Sequence, residues 1–249
     1  MQKKSAAGKS TVPRHGVARA LSKQGLGSRT QAAAWVREGR VSVNGRCVRD
    51  PEFPVRIGVD RIVVAGREAA KAPRLVLMLN KPRGLVTSAS DEQGRDTVYR
   101  CFESAALPWI APVGRLDKAS EGLLLMSNDP QWAAGVTDPE RGPDKTYHVQ
   151  IDRLPDAALL TALIAGVDVD DEILSAKSVQ LLRSGAKNAW LEIVLDEGRN
   201  RQIRRLLSAF DISVLRLIRV AIGPLALGEL AKGQWRELSA DEIAMLTFL

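Results

Sequence analysis

The sequence contains few of the residues that hold metals or cross-link a fold. Only two of its 249 residues are cysteine and two are histidine. Cys47 and Cys101 have no Cys-x-x-Cys spacing, and His15 and His148 are equally isolated. The pattern excludes a disulfide scaffold and predicts that the protein has no metal site.

Long apolar runs are also missing. None approaches the roughly 18 residues that a membrane-spanning helix needs. The N-terminal stretch "MQKKSAAGKSTVPRHG" is basic and lacks the apolar segment of a secretory signal. We therefore interpret residues 1–15 as a disordered cationic arm, and we expect a cytoplasmic protein with no membrane partner.

What the sequence does contain is positive charge, and it is unevenly placed. The net charge is +7, which favours a polyanionic partner. Residues 1–67 hold 14 Lys and Arg against 4 Asp and Glu, a net +10, whereas the remainder holds 22 against 25, a net −3. The first quarter of the chain is therefore the expected electrostatic contact, and the rest should recognise its ligand by shape and chemistry.

Residues 16–67 have the pattern of a small α/β module. The spacing of Val17, Ala20 and Leu21 predicts a short amphipathic helix. Ser28, with a glutamine three residues later, predicts a capping box at the start of a second helix. Asn44-Gly45 between β-branched residues predicts a hairpin.

The stretch "LSKQGLGSRTQAAAWVREGRVSVNG" resembles the S4 RNA-binding domain. This resemblance implies that Arg29, Arg37 and Arg40 contact RNA; the alternative is a basic face that is only solvated. Residues 68–74 are polar, alanine-rich and end near a proline, so they are interpreted as an interdomain linker.

Residues 75–249 alternate short apolar strands such as "LVLMLN" and "AWLEIVLDEG" with fewer helical segments. Strands separated by loops and occasional helices predict an α+β domain on a largely antiparallel or mixed sheet. The whole chain is therefore predicted to be α+β, with a small S4-like domain before a larger one.

The segment "GRLDKASEGLLLMSND" places Asp117 just ahead of an apolar strand. No histidine, serine or second carboxylate accompanies it at a useful spacing, which argues against a triad hydrolase and against metal-assisted hydrolysis. A lone carboxylate near arginines is favoured in its charged form and suits covalent nucleophilic catalysis. The alternative is a solvated turn.

The segment "EGRNRQIRRLLSAF" predicts a helix with one apolar stripe, and Asn200 is expected to cap it. Several arginines at the positive end of a helix predict an anion site, unless they form a plain basic surface. They are Arg199, Arg201, Arg204 and Arg205.

The segment "KTYHV" places Lys145 and Tyr147 on one face of a strand and His148 on the other. A tyrosine in a pocket stacks on a nucleobase or exchanges protons through its hydroxyl. The alternative is a tyrosine of the core.

Five segments occur in the order seen in the bacterial ribosomal RNA pseudouridine synthases of the RsuA-like family, many of which carry an N-terminal S4 domain. The resemblance covers nearly the whole chain after the arm. The five segments are "LNKPRGLVTS", "GRLDKASEGLLLMSND", "KTYHV", "EGRNRQIRRL" and "LIRVAIGPL".

This resemblance implies that Asp117 is the nucleophile, attacking either the ribose C1′ or the base C6 of a flipped uridine, without a cofactor. Tyr147 would stack on the uracil, and Arg204 would form the ion pair that positions Asp117, with Arg199 as second choice. The remaining residues expected to bind RNA or support the site are Lys81, Arg115, Lys118, Lys145, Arg201 and Arg205.

The implied partner is ribosomal RNA. The segment "SDEQGRDTVYR" is more similar to the large-subunit members, which predicts 23S RNA or a pre-ribosomal particle as substrate. The alternatives are a 16S enzyme and a non-catalytic RNA-binding or ribosome-assembly factor. A DNA-binding regulator is disfavoured because no helix-turn-helix or dimerisation element is found, and a monomer is the default expectation.

Overall fold

The computed structural model describes residues 12–70, 72–89, 91 and 93–247. The chain divides into two compact units, and the division falls between Pro73 and Arg74. Most of the arm predicted for residues 1–15 lies outside the described residues. Within the described part of the chain, no helix is long and apolar enough to cross a membrane.

The N-terminal unit contains two short helices and a small antiparallel sheet. The predicted capping box is confirmed, since Ser28 Oγ accepts from Gln31 N, and Gln31 Oε1 accepts from Ser28 N, both at 3.0 Å. The predicted hairpin is confirmed by the left-handed Asn44 and Gly45, with φ values of 51° and 83°. The elements are β1 (His15–Gly16), α1 (Val17–Lys23), α2 (Arg29–Arg37), β2 (Val41–Val43), β3 (Arg46–Val48), β4 (Pro54–Val55), β5 (Ile62–Val64) and β6 (Arg67–Glu68).

The sheet of this unit has the order β3-β2-β5-β6, and β1 pairs separately with β4. Its core lies between the helices and the sheet and includes Leu21, Val36 and Val41. The predicted linker begins inside the unit, because Ala69 N donates to Ile62 O at 2.8 Å.

The C-terminal unit is built on a nine-stranded mixed sheet in the described part of the chain, which confirms the α+β class. The order is β13-β14-β10-β15-β9-β7-β17, with β8 on β9 and β16 on β15. The strands of the unit are β7 (Val76–Lys81), β8 (Ala111–Val113), β9 (Glu121–Ser127), β10 (Lys145–Ile151), β11 (Val167–Asp168), β12 (Ile173–Leu174), β13 (Ser178–Ser184), β14 (Ala189–Leu195), β15 (Val214–Ile222), β16 (Leu225–Ala226) and β17 (Trp235–Glu237). Strands β11 and β12 pair only with each other, outside this sheet.

Helices cover this sheet at several places. They are a 3₁₀ helix (Val98–Phe102), α3 (Pro130–Val136), α4 (Ala157–Ala165), α5 (Gln202–Ser208) and α6 (Ala240–Met245). Helix α5 buries the stripe predicted for it, with Ile203, Leu206 and Leu207 in the core.

Because successive strand residues point to opposite faces, β7 and β9 each supply two cores. Leu77 and Leu124 belong to the core under α5, whereas Met78 and Leu125 pack with α3 on the other face. The sheet is therefore buried on both sides at these strands, and the loops at their ends are firmly anchored.

Candidate active site

A cavity of about 630 Å³ opens in the C-terminal unit between strands β10 and β15, the loop before β9, and the turn before α5. Asp117, Lys145 and Tyr147, which were chosen from the sequence, all line it. Positive charge dominates the walls, because the only carboxylates among the lining residues are Asp117 and Glu197. The lining cations are Arg115, Lys118, Lys145, Arg199, Arg201, Arg204 and Arg219.

The loop that carries Asp117 is held by a buried lysine. Lys81 is fully buried, and its Nζ donates to three backbone carbonyls: Ser120 O at 2.9 Å, and Asp117 O and Pro82 O at 3.2 Å. The prediction that Lys81 contacts RNA is therefore wrong, since the side chain lies beneath the loop rather than on the surface. Burial lowers the pKa of Lys81 to about 8 despite the nearby Asp117 carboxylate.

The other carbonyls of this loop are also bonded to neighbouring segments. Fixed backbone of this kind holds a catalytic side chain in position before substrate arrives. Thr87 Oγ1 donates to Leu116 O at 2.6 Å, Gly84 N to Lys118 O at 2.8 Å, and Arg204 Nη2 to Ala119 O at 3.3 Å.

The ion pair on Asp117 comes from a different arginine than predicted. Arg201 Nη1 lies 3.5 Å from Asp117 Oδ2, and the Asp117 side chain is 34% exposed. Arg204 instead donates to backbone carbonyls of Ala119 and Val214. Burial, and then the positive charge of Arg201, lower the pKa of Arg204.

The turn before α5 explains this exchange of roles. Arg201, not Asn200, occupies the N-cap position, in a left-handed conformation with φ of 50°. The prediction that Asn200 caps the helix is therefore wrong. The turn is anchored by buried Gln202, whose Oε1 accepts from Arg199 N at 3.2 Å and whose Nε2 donates to Glu197 Oε1 at 2.7 Å.

Two of the four arginines of this segment are paired with carboxylates other than Asp117. Arg199 lies 2.7 Å from Glu197 and 3.2 Å from Glu172. Arg205 lies 2.6 Å from Glu172 and 3.5 Å from Asp170, and it does not line the cavity. The predicted four-arginine anion site is thus reduced to Arg201 and Arg204, because acidic residues of the β11–β12 region and Glu197 neutralise the others.

Tyr147 lies on β10 between Ile193 of β14 and Arg219 of β15. It is 8% exposed, so it belongs to the core and to the cavity wall together. His148 points to the opposite face, as predicted, and lies 3.4 Å from Glu192.

Sequence reasoning missed Arg219, which lies within the segment "LIRVAIGPL". The residue is 6% exposed and lines the cavity beside Tyr147. Its Nε donates to Leu123 O at 2.7 Å. The available signal was an arginine among the apolar residues of that segment, although the same strand also contains Arg216.

Arginines of the N-terminal unit are exposed. Arg29 begins α2 and Arg37 ends it, and both are open to solvent. Arg40 is exposed as well, 3.4 Å from Glu38. These side chains are free to approach an anionic ligand.

The sequence matches the family described as RNA pseudouridylate synthase over residues 75–209 and the S4 domain over residues 17–60. A relative from Aquifex aeolicus, described as an uncharacterized RNA pseudouridine synthase, is 35% identical over 227 residues, covering 91% of this chain and 91% of the relative. The ribosomal large subunit pseudouridine synthase B of Bacillus subtilis is 34% identical over 228 residues, covering 90% of this chain and 92% of the relative. A solved structure described as a pseudouridylate synthase is 28% identical, covers 92% of this chain and 98% of its own, and has a TM-score of 0.65.

Proposed function

The chain belongs to the RNA pseudouridylate synthase family and carries an S4 domain, and on this premise we propose that it converts specific uridines of ribosomal RNA to pseudouridine. The names of relatives such as the large subunit synthase B of Bacillus subtilis favour 23S RNA, or a particle containing it, as the substrate. The protein would act as a monomer in the cytoplasm.

In this proposal Asp117 is the nucleophile. Its carboxylate forms a bond to the ribose C1′ or to C6 of the base. In either route the N1–C1′ bond breaks, the base turns, a C5–C1′ bond forms, and the bond to Asp117 breaks to return the free carboxylate. C5 loses its proton and N1 gains one. Atoms and electrons balance within the nucleoside and solvent, so the reaction consumes no cofactor.

The observation that carries the proposal is the anchored loop at the cavity. Lys81 donates to the backbone carbonyl of Asp117 and Arg204 to that of Ala119, while Arg201 provides the counter-charge of the Asp117 carboxylate. A carboxylate on fixed backbone, beside a cavity large enough for a nucleotide, is what this chemistry requires.

Tyr147 is proposed to stack on the extruded uracil and to assist removal of the C5 proton. Extracting a uridine from its stack costs a few kcal/mol, and aromatic stacking returns about 1–3 kcal/mol. Arg115 and Lys118 are exposed beside the loop and supply phosphate contacts.

Release of tritium tests the proposal directly. Ribosomal RNA transcribed with 5-tritiated uridine loses its label to water when the C5–H bond is replaced. Asp117→Asn should lower release on the order of 10³-fold or more while RNA binding is retained. Asp211→Asn is the matched control, because Asp211 is exposed and left-handed, a conformation that asparagine tolerates.

Separate 16S and 23S transcripts distinguish the two candidate substrates, and pseudouridine mapping in a strain lacking this chain identifies the position. Binding of RNA without tritium release by the wild-type chain would favour the non-catalytic RNA-binding factor and overturn the proposal. Unchanged release by Asp117→Asn would overturn the assignment of the nucleophile alone.

A further inference from the structure

Arg219 is the most buried arginine of the cavity wall, and most of its hydrogen-bonding capacity is unused. Nε donates to Leu123 O. Among the described residues the structure gives Nη1 and Nη2 no hydrogen bond or ion pair, and Nη2 is fully covered. A buried charged donor without a partner is unfavourable. The site is therefore short of one acceptor.

Lys145 lies on the neighbouring strand β10, and its side chain also lacks a hydrogen-bonding partner among the described residues. It pairs in register with Ile222, near the Tyr147–Arg219 pair, and it lines the same cavity. The structure gives its Nζ no hydrogen bond or ion pair with any described residue. Burial, and then the positive charge of Arg219, lower the pKa of Lys145, and the charges of Asp144 and Asp196 offset this only in part. Two neighbouring cations that repel each other favour an anionic ligand over a neutral one.

The backbone fixes Arg219 in this position. Strands β9 and β15 run parallel at Arg219 and Gly122, and Gly122 has a φ of 100°. A Cβ atom at residue 122 would lie 2.2 Å from Arg219 O, so only glycine permits this approach. The bond from Nε to Leu123 O then orients the guanidinium before any ligand binds.

Of the other cations of the cavity wall, Arg115 and Lys118 are exposed, and the rest have partners within the protein. Arg201 and Arg204 serve Asp117 and its loop, and Arg199 is paired with glutamates. Among the lining cations whose terminal nitrogens have no partner in the described part of the chain, Arg219, which is buried, and Lys145, which is half-buried, are therefore the least exposed.

We infer that Lys145 and Arg219 form an anion subsite that receives one backbone phosphate of the substrate RNA, next to the base held by Tyr147. A phosphodiester carries the charge that the pair needs, and its two free oxygens suit one guanidinium N–H together with an ammonium. Lys145, Tyr147 and Arg219 line the same cavity, so this phosphate would lie on or beside the flipped nucleotide. The inference rests on the proposed function for the identity of the RNA.

The salt dependence of RNA binding provides the test. The full-length Asp117→Asn chain binds a ribosomal RNA transcript without turnover, and Arg219→Gln or Lys145→Gln is added to it. Each phosphate contact contributes about 0.7–0.9 to the slope of log affinity against log salt. We expect each variant to lower that slope by about this amount and to lower the affinity about five- to tenfold near 0.1 M salt.

The double variant sharpens the test, because both residues would hold one phosphate. Its slope should fall by about one contact, not two. Arg183→Gln, at an exposed arginine on β13 outside the cavity, is the matched control and should leave the slope unchanged. If Arg219→Gln lowers the thermal unfolding midpoint, Lys145→Gln at the less buried position decides.

Inorganic phosphate alone tests the subsite without RNA. Phosphate should raise the thermal midpoint of the parent chain and raise it less in Arg219→Gln and Lys145→Gln. Equal stabilisation by phosphate, or an unchanged salt slope in both variants, overturns the inference. If the wild-type chain releases no tritium but phosphate still stabilises it as expected, the proposed function is contradicted and the anion subsite is not.

Discussion

The two units of the chain use positive charge in opposite ways. In the N-terminal region the charge is spread over exposed side chains such as Arg29, Arg37 and Arg40. In the C-terminal unit the overall balance is slightly acidic, yet seven cations and two carboxylates line one cavity.

Net charge therefore indicates what kind of partner a region binds, but it does not indicate where the reaction site lies. Exposed cations attract any polyanion and are screened by salt. Cations that are buried and bonded to fixed carbonyls, such as Lys81, cannot contact RNA directly. They fix the geometry of a site, at a desolvation cost that the lowered pKa of Lys81 records.

Removal of the N-terminal unit is expected to give the largest change in this comparison. A chain of residues 74–249 should bind ribosomal RNA about 100-fold more weakly near 0.1 M salt. Each lost phosphate contact is worth about fivefold there, so the loss of about three contacts gives this factor. Fluorescence anisotropy across a salt series measures both affinity and slope. Equal affinity of the shortened and full-length chains would show that the cavity, not the exposed arginines, dominates binding.

Loss of the buried lysine should affect the rate instead of binding. Lys81→Met removes three bonds to the Asp117 loop, and we expect about a tenfold or greater drop in the maximum rate of tritium release with little change in RNA affinity. Lys177→Met, at an exposed lysine paired with Asp144, is the control. If Lys81→Met weakens RNA affinity and leaves the maximum rate of tritium release unchanged, Lys81 supports binding and the role assigned to it is wrong.

The pH profile of the same variant sharpens this result. The wild-type rate should fall above about pH 8 as Lys81 loses its charge, and Lys81→Met should lack that fall. The free energy of unfolding should change with pH in the opposite direction to the rate. The folded pKa lies below the unfolded value of about 10.4, so the unfolded chain binds more protons between these pH values. The Lys81 contribution to the free energy of unfolding therefore rises with pH over this interval.

Local sequence signals predicted local structure well. The Ser28 capping box and the Asn44-Gly45 turn depend on residues within three positions of each other, so the sequence contains all that they need. Helix α3 was overlooked although Asp129 caps it and Pro130 begins it, because one turn of apolar residues gives too short a period to detect.

The site was predictable only in part, for a physical reason. Asp117 and Tyr147 lie in short segments whose own residue pattern is enough to suggest a site residue. The assignment of the ion pair to Arg204 failed because the left-handed turn at Arg201 redirects the side chains. Burial of Lys81 depends on carbonyls 36 and 39 residues away, and no local pattern encodes that contact.

Single arginines of the N-terminal unit should give the smallest effect, and they test whether its charge is truly distributed. Arg29→Gln should lower RNA affinity about fivefold near 0.1 M salt, with a loss of about 0.7–0.9 in slope and no change in the maximum rate. If Arg29 and Arg37 contact different phosphates, the losses of binding free energy in Arg29→Gln and Arg37→Gln should add. Two residues that hold the same phosphate would give losses that do not add. Anisotropy on the two single variants and the double variant measures this. A double variant no weaker than either single one would mean that the surface holds one specific phosphate site, and the contrast between a diffuse and a focused arrangement of charge would not stand.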